Sequence, residues 1–273
     1  MRVRELEILE ELYSRMHSES ERAAIGSWRS LYARGFFDKA RLHISSLVLL
    51  IKSGAENSGK HFDIGGICSL ARCIIEAHNA YYYLLEPLLD SDEQEFRHDL
   101  FLANQTSDLE RIQSELGIPP DEFGTFFRQA SLSRTLARLE QNPSFQGLPP
   151  DKKRKARAGR SPYLTDRYGG KRPLPPNIES AIYKLLSHSV HSFGLGINPF
   201  ANGRNTAAGG LNVIALSLDS SLIYGARIAK KYLTARHKAM PSISDSDRTV
   251  IMELCSPQEL ELLLKDMATR SRI

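Results

Sequence analysis

Two short stretches bring together side chains able to do chemistry. In the first, Arg72 and Glu76 stand four residues apart, followed at once by His78 and Asn79. In the second, Tyr183, Ser187 and His191 recur at steps of four, with His188 alongside. An arginine fork suits a phosphate or carboxylate, and a glutamate at i+4 lies on the same helix face and can fix its orientation. An imidazole, whose ordinary pKa is about 6.5, gives or takes a proton near neutrality. If the two stretches meet, Arg72, Glu76, His78 and His191 form a candidate catalytic set. Tyr183, Ser187, His188 and Asp219 would support it, Asp219 being an acid in an otherwise apolar stretch, placed to orient a histidine. The bland alternative is the polar face of an amphipathic helix. Taking Lys184 as the zero of a helical wheel, Ser187, His188 and His191 all fall on its side, and Ile182, Leu186, Val190 and Phe193 fall opposite.

A third group carries charge rather than reactivity. Residues 151–172 hold nine bases and two acids, a local excess of seven in a chain whose net charge is +4, so the remainder is net negative by three. Lys152, Lys153, Arg154, Lys155, Arg157 and Arg160 are the densest part, with Tyr163 and Tyr168 interspersed. Such a run can follow a phosphate backbone while the tyrosines stack on bases. It can equally be a solvated excursion.

Other chemistries lack their signatures. His188 and His191 are three apart, but no cysteine, aspartate or glutamate on that helix completes a common zinc pattern. Residues 203–210, GRNTAAGG, lack the lysine and spacing of a phosphate loop, and no serine sits in a G-x-S-x-G turn. Neither a metal nor a cofactor is expected.

The elements that must position these groups are helices throughout. Residues 63–89 form an apolar seam through Ile67, Leu70, Ile74, Ala77, Tyr81, Leu84 and Leu88, widened by Ala71, Ile75, Tyr82 and Leu85. This predicts a buried central helix in an all-α bundle. Before it, helical spacing runs across the first thirty-odd residues, is broken at Gly35, and resumes over 36–51. After it, residues 91–116 read as a helix capped by Ser91 and stopped by Gly117, and another runs over about 120–141. Residues 143–176, rich in Pro, Gly, Lys and Arg, read as a long basic loop. Helices over 177–193, about 211–237 and one or two within 245–270 complete the chain, with no persistent strand alternation and no repeat. A helical block at 1–142 and a second at 177–273 are expected to share one domain, because the second is too short to cover its own apolar faces.

Hydrophobic residues at 41% and charged residues at 25% are ordinary for a globular protein. The N-terminal residues alternate acids and bases instead of forming a signal peptide, and the longest apolar runs fall short of the roughly 20 residues a membrane span needs. Cys68, Cys73 and Cys255 suggest no disulfide framework. A soluble, cytoplasmic protein without a membrane partner is expected.

The Arg72-x3-Glu76 pattern, with Tyr183-x3-Ser187-x3-His191 far downstream, resembles a broad family of prokaryotic all-helical proteins of unknown function. That resemblance implies a helical bundle. Arg72 to His78, RCIIEAH, is also similar to the motif of the HEPN superfamily, helical proteins of toxin and antiviral defence systems. It implies a metal-independent ribonuclease, dimeric, with the arginine and histidine at the dimer interface. Three functions are thus in play. The first is an interaction module contacting nucleic acid through the basic segment. The second is a HEPN-like ribonuclease acting on RNA, as a possible homodimer. The third is a small-ligand protein with a pocket lined by Tyr81, Tyr82, Tyr83 and the histidines. A protein partner would be of unknown kind.

Overall fold

A computed structural model describes residues 2–56, 62–86, 89–117, 132–164, 172–190 and 207–270. Among them the chain is all-α, with no strand. The helices are α1 (Val3–Ser20), α2 (Trp28–Glu56), α3 (Ile64–Leu84), α4 (Ser91–Leu116), α5 (Leu132–Gln141), α6 (Pro143–Gln146), α7 (Pro150–Arg157), α8 (Pro176–Val190), α9 (Ala207–Arg236), α10 (Asp245–Leu254) and α11 (Gln258–Arg270), with a 3-10 turn at His237–Ala239. They form two compact units, one of Met1–Tyr81 with Gly170–Ile273 and the other of Tyr82–Gly169. The change of composition at residue 142 is therefore not where the packing divides.

In the larger unit α1, α2 and α9 pack on one another. Tyr13 of α1, Phe37 of α2 and Tyr232 of α9 stack with ring centroids 4.7 and 4.1 Å apart. The Tyr13 hydroxyl donates to the Gly225 carbonyl at 2.8 Å. A Cβ there would come within 2.9 Å of Ile44 Cδ1 and 3.2 Å of Leu9 Cδ2, so a larger residue would push those methyls aside. α9 is enclosed almost all round between Val213 and Ala229, and its Ser217 and Ser221 hydroxyls turn back onto the carbonyls four residues earlier. α3 is enclosed too, with Ile67, Cys68, Ala71, Ile74, Ile75 and Ala77 buried. It ends at Leu84, three residues before Pro87. α10 opens on a reciprocal capping box of Ser244 and Asp247, and Arg15 of α1 grips the same Asp247 carboxylate with two nitrogens.

The smaller unit has its own core, in which Phe96 and Leu100 of α4 meet Leu139 of α5, Phe145 of α6 and Ala156 of α7. Arg138 holds Asp99 through two hydrogen bonds, 2.7 and 3.1 Å. Arg97 is buried against the Tyr83 ring, 4.6 Å from its centroid, and donates to the Tyr83 carbonyl.

Several boundaries differ from the sequence reading. Gly35 does not interrupt α2; it lies on an exposed face, where a helical glycine costs only about 1 kcal/mol. Asp90, not Ser91, caps α4, its carboxylate accepting from the Glu93 backbone at 2.8 Å. The predicted helix over 120–141 is described only from Leu132. The stretch read as a basic loop is helical at α6 and α7. Asn142 caps α6 with a proline at its first position, Pro149-Pro150 opens α7, and both helices reach the core through Phe145 and Ala156.

Candidate functional site

The Arg72 and Tyr183 stretches do meet. α3 and α8 lie side by side in the larger unit, and Glu76 Oε1 accepts from Arg72 Nε at 2.9 Å and from the Tyr183 hydroxyl at 2.6 Å. Arg72 Nε also reaches the Tyr183 oxygen at 3.1 Å, and its Nη1 lies 3.4 Å from Ser187 Oγ. The guanidinium carbon is 5.2 Å from the centre of the Tyr183 ring. Partial burial works against the Arg72 charge, but hydrogen bonds to Tyr183 and Glu76 outweigh it and hold its pKa above the ordinary value. Burial and the Glu76 carboxylate together raise the Tyr183 phenol. The side chains of Arg72 and Glu76 remain 25% and 39% exposed, so the cluster lies at the bundle's edge rather than in its middle.

Arg72 and Glu76 neutralise one another within α3, and the Tyr183 hydroxyl and Ser187 Oγ tie that pair to α8. Tyr183→Phe keeps the ring under Arg72 and removes only the bridging hydroxyl. Because water can replace part of that bond at a half-open site, the loss is expected to be about 0.5–1.5 kcal/mol in urea unfolding. An unchanged midpoint would show that the hydroxyl does not hold α8 to α3.

The histidines part company. His78 is 1% exposed, with its Nδ1 3.1 Å from Asn79 Oδ1 and its ring edge-on to Tyr224, 4.9 Å between centroids. Six residues along a helix turn it some 120° from Arg72, which faces Glu76, Tyr183 and Ser187 instead. Burial, with the nearby Arg227 charge acting in the same direction and Asn79 against it, lowers the His78 pKa to about 3. His78 is thus enclosed inside the bundle beside Asn79 and Tyr224 and turned away from the Arg72 cluster. His191 lies outside the described residues. His188 is partly buried, and its Nδ1 has no hydrogen-bond partner among the described residues. Asp219 is buried and meets Arg2 Nη1 at 3.8 Å. Tyr81 and Tyr83 are themselves core residues, Tyr81 against Phe36 and Tyr83 edge-on to Tyr163. Among the described residues no three His, Cys, Asp or Glu side chains converge as metal ligands would.

The basic segment is more ordered than its composition implies. α7 places Asp151 in its first turn and Arg154, Lys155 and Arg157 in its last, the arrangement its dipole favours. Ala156 is fully buried, and Lys152 and Lys153 flank it half-exposed. Just past the helix Gly159 adopts φ +59°, its carbonyl accepts from Asn104 Nδ2 at 2.7 Å, and a Cβ would stand 2.7 Å from that of Ser107. Two cations fasten the helix: Lys153 Nζ donates to the Gln146 carbonyl, and Arg157 pairs with Glu140 at 2.6 Å, both lying over the Phe145 ring. Lys152, Arg154, Lys155 and Arg160 have no acidic partner among the described residues, and the last three are exposed. Arg172, counted with them in sequence, pairs instead with the buried Glu179 in the larger unit, and Glu179 also accepts from Tyr224 at 2.7 Å. Arg167, Tyr168 and Lys171 lie outside the described residues.

Phe145, Ala156 and Gly159, which fix this helix, were missed in the sequence. The Asn142-Pro143 and Pro149-Pro150 pairs carried the signal for the two helices, and Asp151 lies where a first turn wants an acid. Comparison with known protein families, curated proteins and solved structures gives no match to this chain. Among the described residues no helix is long and apolar enough to cross a membrane.

Proposed function

We propose that this protein is a helical interaction module that holds nucleic acid against α7, with Arg72, Glu76 and Tyr183 serving to join α3 to α8. The observation that carries this reading is the docked basic helix. Ala156 anchors it in the core, and Lys152, Arg154, Lys155 and Arg160 are left without acidic partners among the described residues. Fixed cations near one another lose little side-chain and backbone freedom on meeting a phosphate chain, and binding releases the counterions condensed on that chain. The three cysteines are free thiols, in keeping with a reducing cytoplasm as the place of action.

Four phosphate contacts predict that log K falls with log salt at a slope between about −3 and −4. Arg154→Glu with Lys155→Glu is expected to flatten that slope by about 2 and to weaken binding at every salt concentration, measured by fluorescence anisotropy. Binding indifferent to salt, or to this double change, would overturn the proposal. RNA should stay intact in EDTA through the same incubations. Cleavage lost in Arg72→Ala would replace this reading by the ribonuclease, which the meeting of Arg72 with the Tyr183 and Ser187 helix favours as the second choice.

A further inference from the structure

Building on the nucleic-acid reading, we infer that α7 takes a double-stranded nucleic acid through its backbone phosphates. Binding of single strands in the absence of sequence preference rests on two features together: a positive groove along the backbone, and aromatic faces on which successive bases stack. The described part of this segment offers the charge without the faces. Phe145 is buried, with Lys153 and Arg157 lying over its ring. Tyr163 meets the Tyr83 ring edge-on with centroids 4.9 Å apart, and its backbone carbonyl accepts from Ser161 Oγ. Of the aromatics that flank α7 among the described residues, Phe145 is thus buried and Tyr163 is half-buried against Tyr83.

What α7 does present is cationic. Arg154 and Lys155 point away from the buried Ala156, and Arg160 follows the Gly159 turn that returns the chain to α4. Eight helical residues span about 12 Å, which matches the reach of a few neighbouring phosphates. A duplex carries one charge per about 1.7 Å of its axis, so it sets more phosphates before such a surface than a flexible single strand does.

The test uses the full chain and fluorescein-labelled probes. These are two duplex DNAs of unrelated sequence, one duplex RNA, and the separated strands of each, all at one salt concentration. Affinities equal within about threefold among the duplexes, with single strands at least about tenfold weaker, are expected from charge density. Arg154→Glu with Lys155→Glu should weaken every duplex by the same factor, with circular dichroism showing the helices retained. A preference for one duplex sequence, for only DNA or only RNA, or for single strands would overturn this inference and leave the broader nucleic-acid reading standing. Failure of all probes at low salt, or their displacement by polyglutamate at equal charge, would overturn both, the latter outcome reassigning the surface to an acidic protein.

Discussion

Lowering the pH from 8 to 5 is expected to remove about 2 kcal/mol of stability through His78 alone. The ring is buried beside Tyr224, hydrogen-bonded to Asn79 and within the field of Arg227, and its pKa falls to about 3. In the unfolded chain it returns to about 6.5. Between those values the unfolded state binds a proton that the folded state does not, so acid favours unfolding. The stabilisation is complete above about pH 6.5, is lost progressively as pH falls, and levels off below about 3. The carboxylates that fold with lowered pKa values, Asp99 and Asp247, start to weaken the protein only as pH nears the ordinary aspartate value of about 3.9, so the upper part of the window belongs to histidine. His43 is lowered as well, by burial and by Lys39, and shares that window. The decisive measurement is therefore a difference. Urea unfolding free energies of the native chain and of His78→Phe, which keeps a ring beside Tyr224, are compared from pH 8 to 4. The variant should lose the His78 share of the slope whatever its stability at pH 8. Parallel curves would mean that His78 is protonated without resistance, and that it does not lie where the structure puts it.

His78 also shows what a single sequence withholds. Helical spacing made plain that residues 64–84 lie on one apolar rod, which stops short of the expected residue 89, and that Arg72 and Glu76 share a face, because both follow from 3.6 residues per turn. It also put Tyr183 and Ser187 together on α8. Which of the polar groups on α3 faces the edge and which the middle depends on the neighbours: α8 leaves Arg72 part-open, while Tyr224 of α9 closes over His78. The rod is apolar nearly all round, so its own pattern could not rank the two. Gly35 misled for a related reason, since propensity is a weak local preference and α2 is held by Ala33, Phe37 and Ala40 packing on either side of it. In the basic segment, composition concealed structure. Phe145 and Ala156 enter the core, with Leu148 and Leu164 packed against it, and so few apolar residues among so many cations leave no visible periodicity, although the caps and prolines that start α6 and α7 stand in the sequence.

The core contacts of Phe145 and Ala156 support the second large effect. Ala156→Asp is expected to destabilise the protein by about 3–5 kcal/mol, because a carboxylate would enter a cluster of Phe96, Leu100, Leu139 and Phe145 without a partner for its charge. Every cation of the segment survives this change, and the net charge of the chain falls only by one. Nucleic-acid affinity is nevertheless expected to drop at least tenfold. Once α7 leaves the core, Arg154, Lys155 and Arg160 are no longer held near one another, and ordering the segment at the moment of binding costs about 1–2 kcal/mol per residue in backbone freedom. The two readouts are separable. Thermal unfolding followed by circular dichroism reports the core, and anisotropy with a labelled duplex, taken well below the variant's midpoint, reports the surface. A variant that melts early yet binds as the native chain does would show the cations working from a loose tether. Paired losses would show that the hydrophobic seat of one alanine places the charges on the far side of its helix.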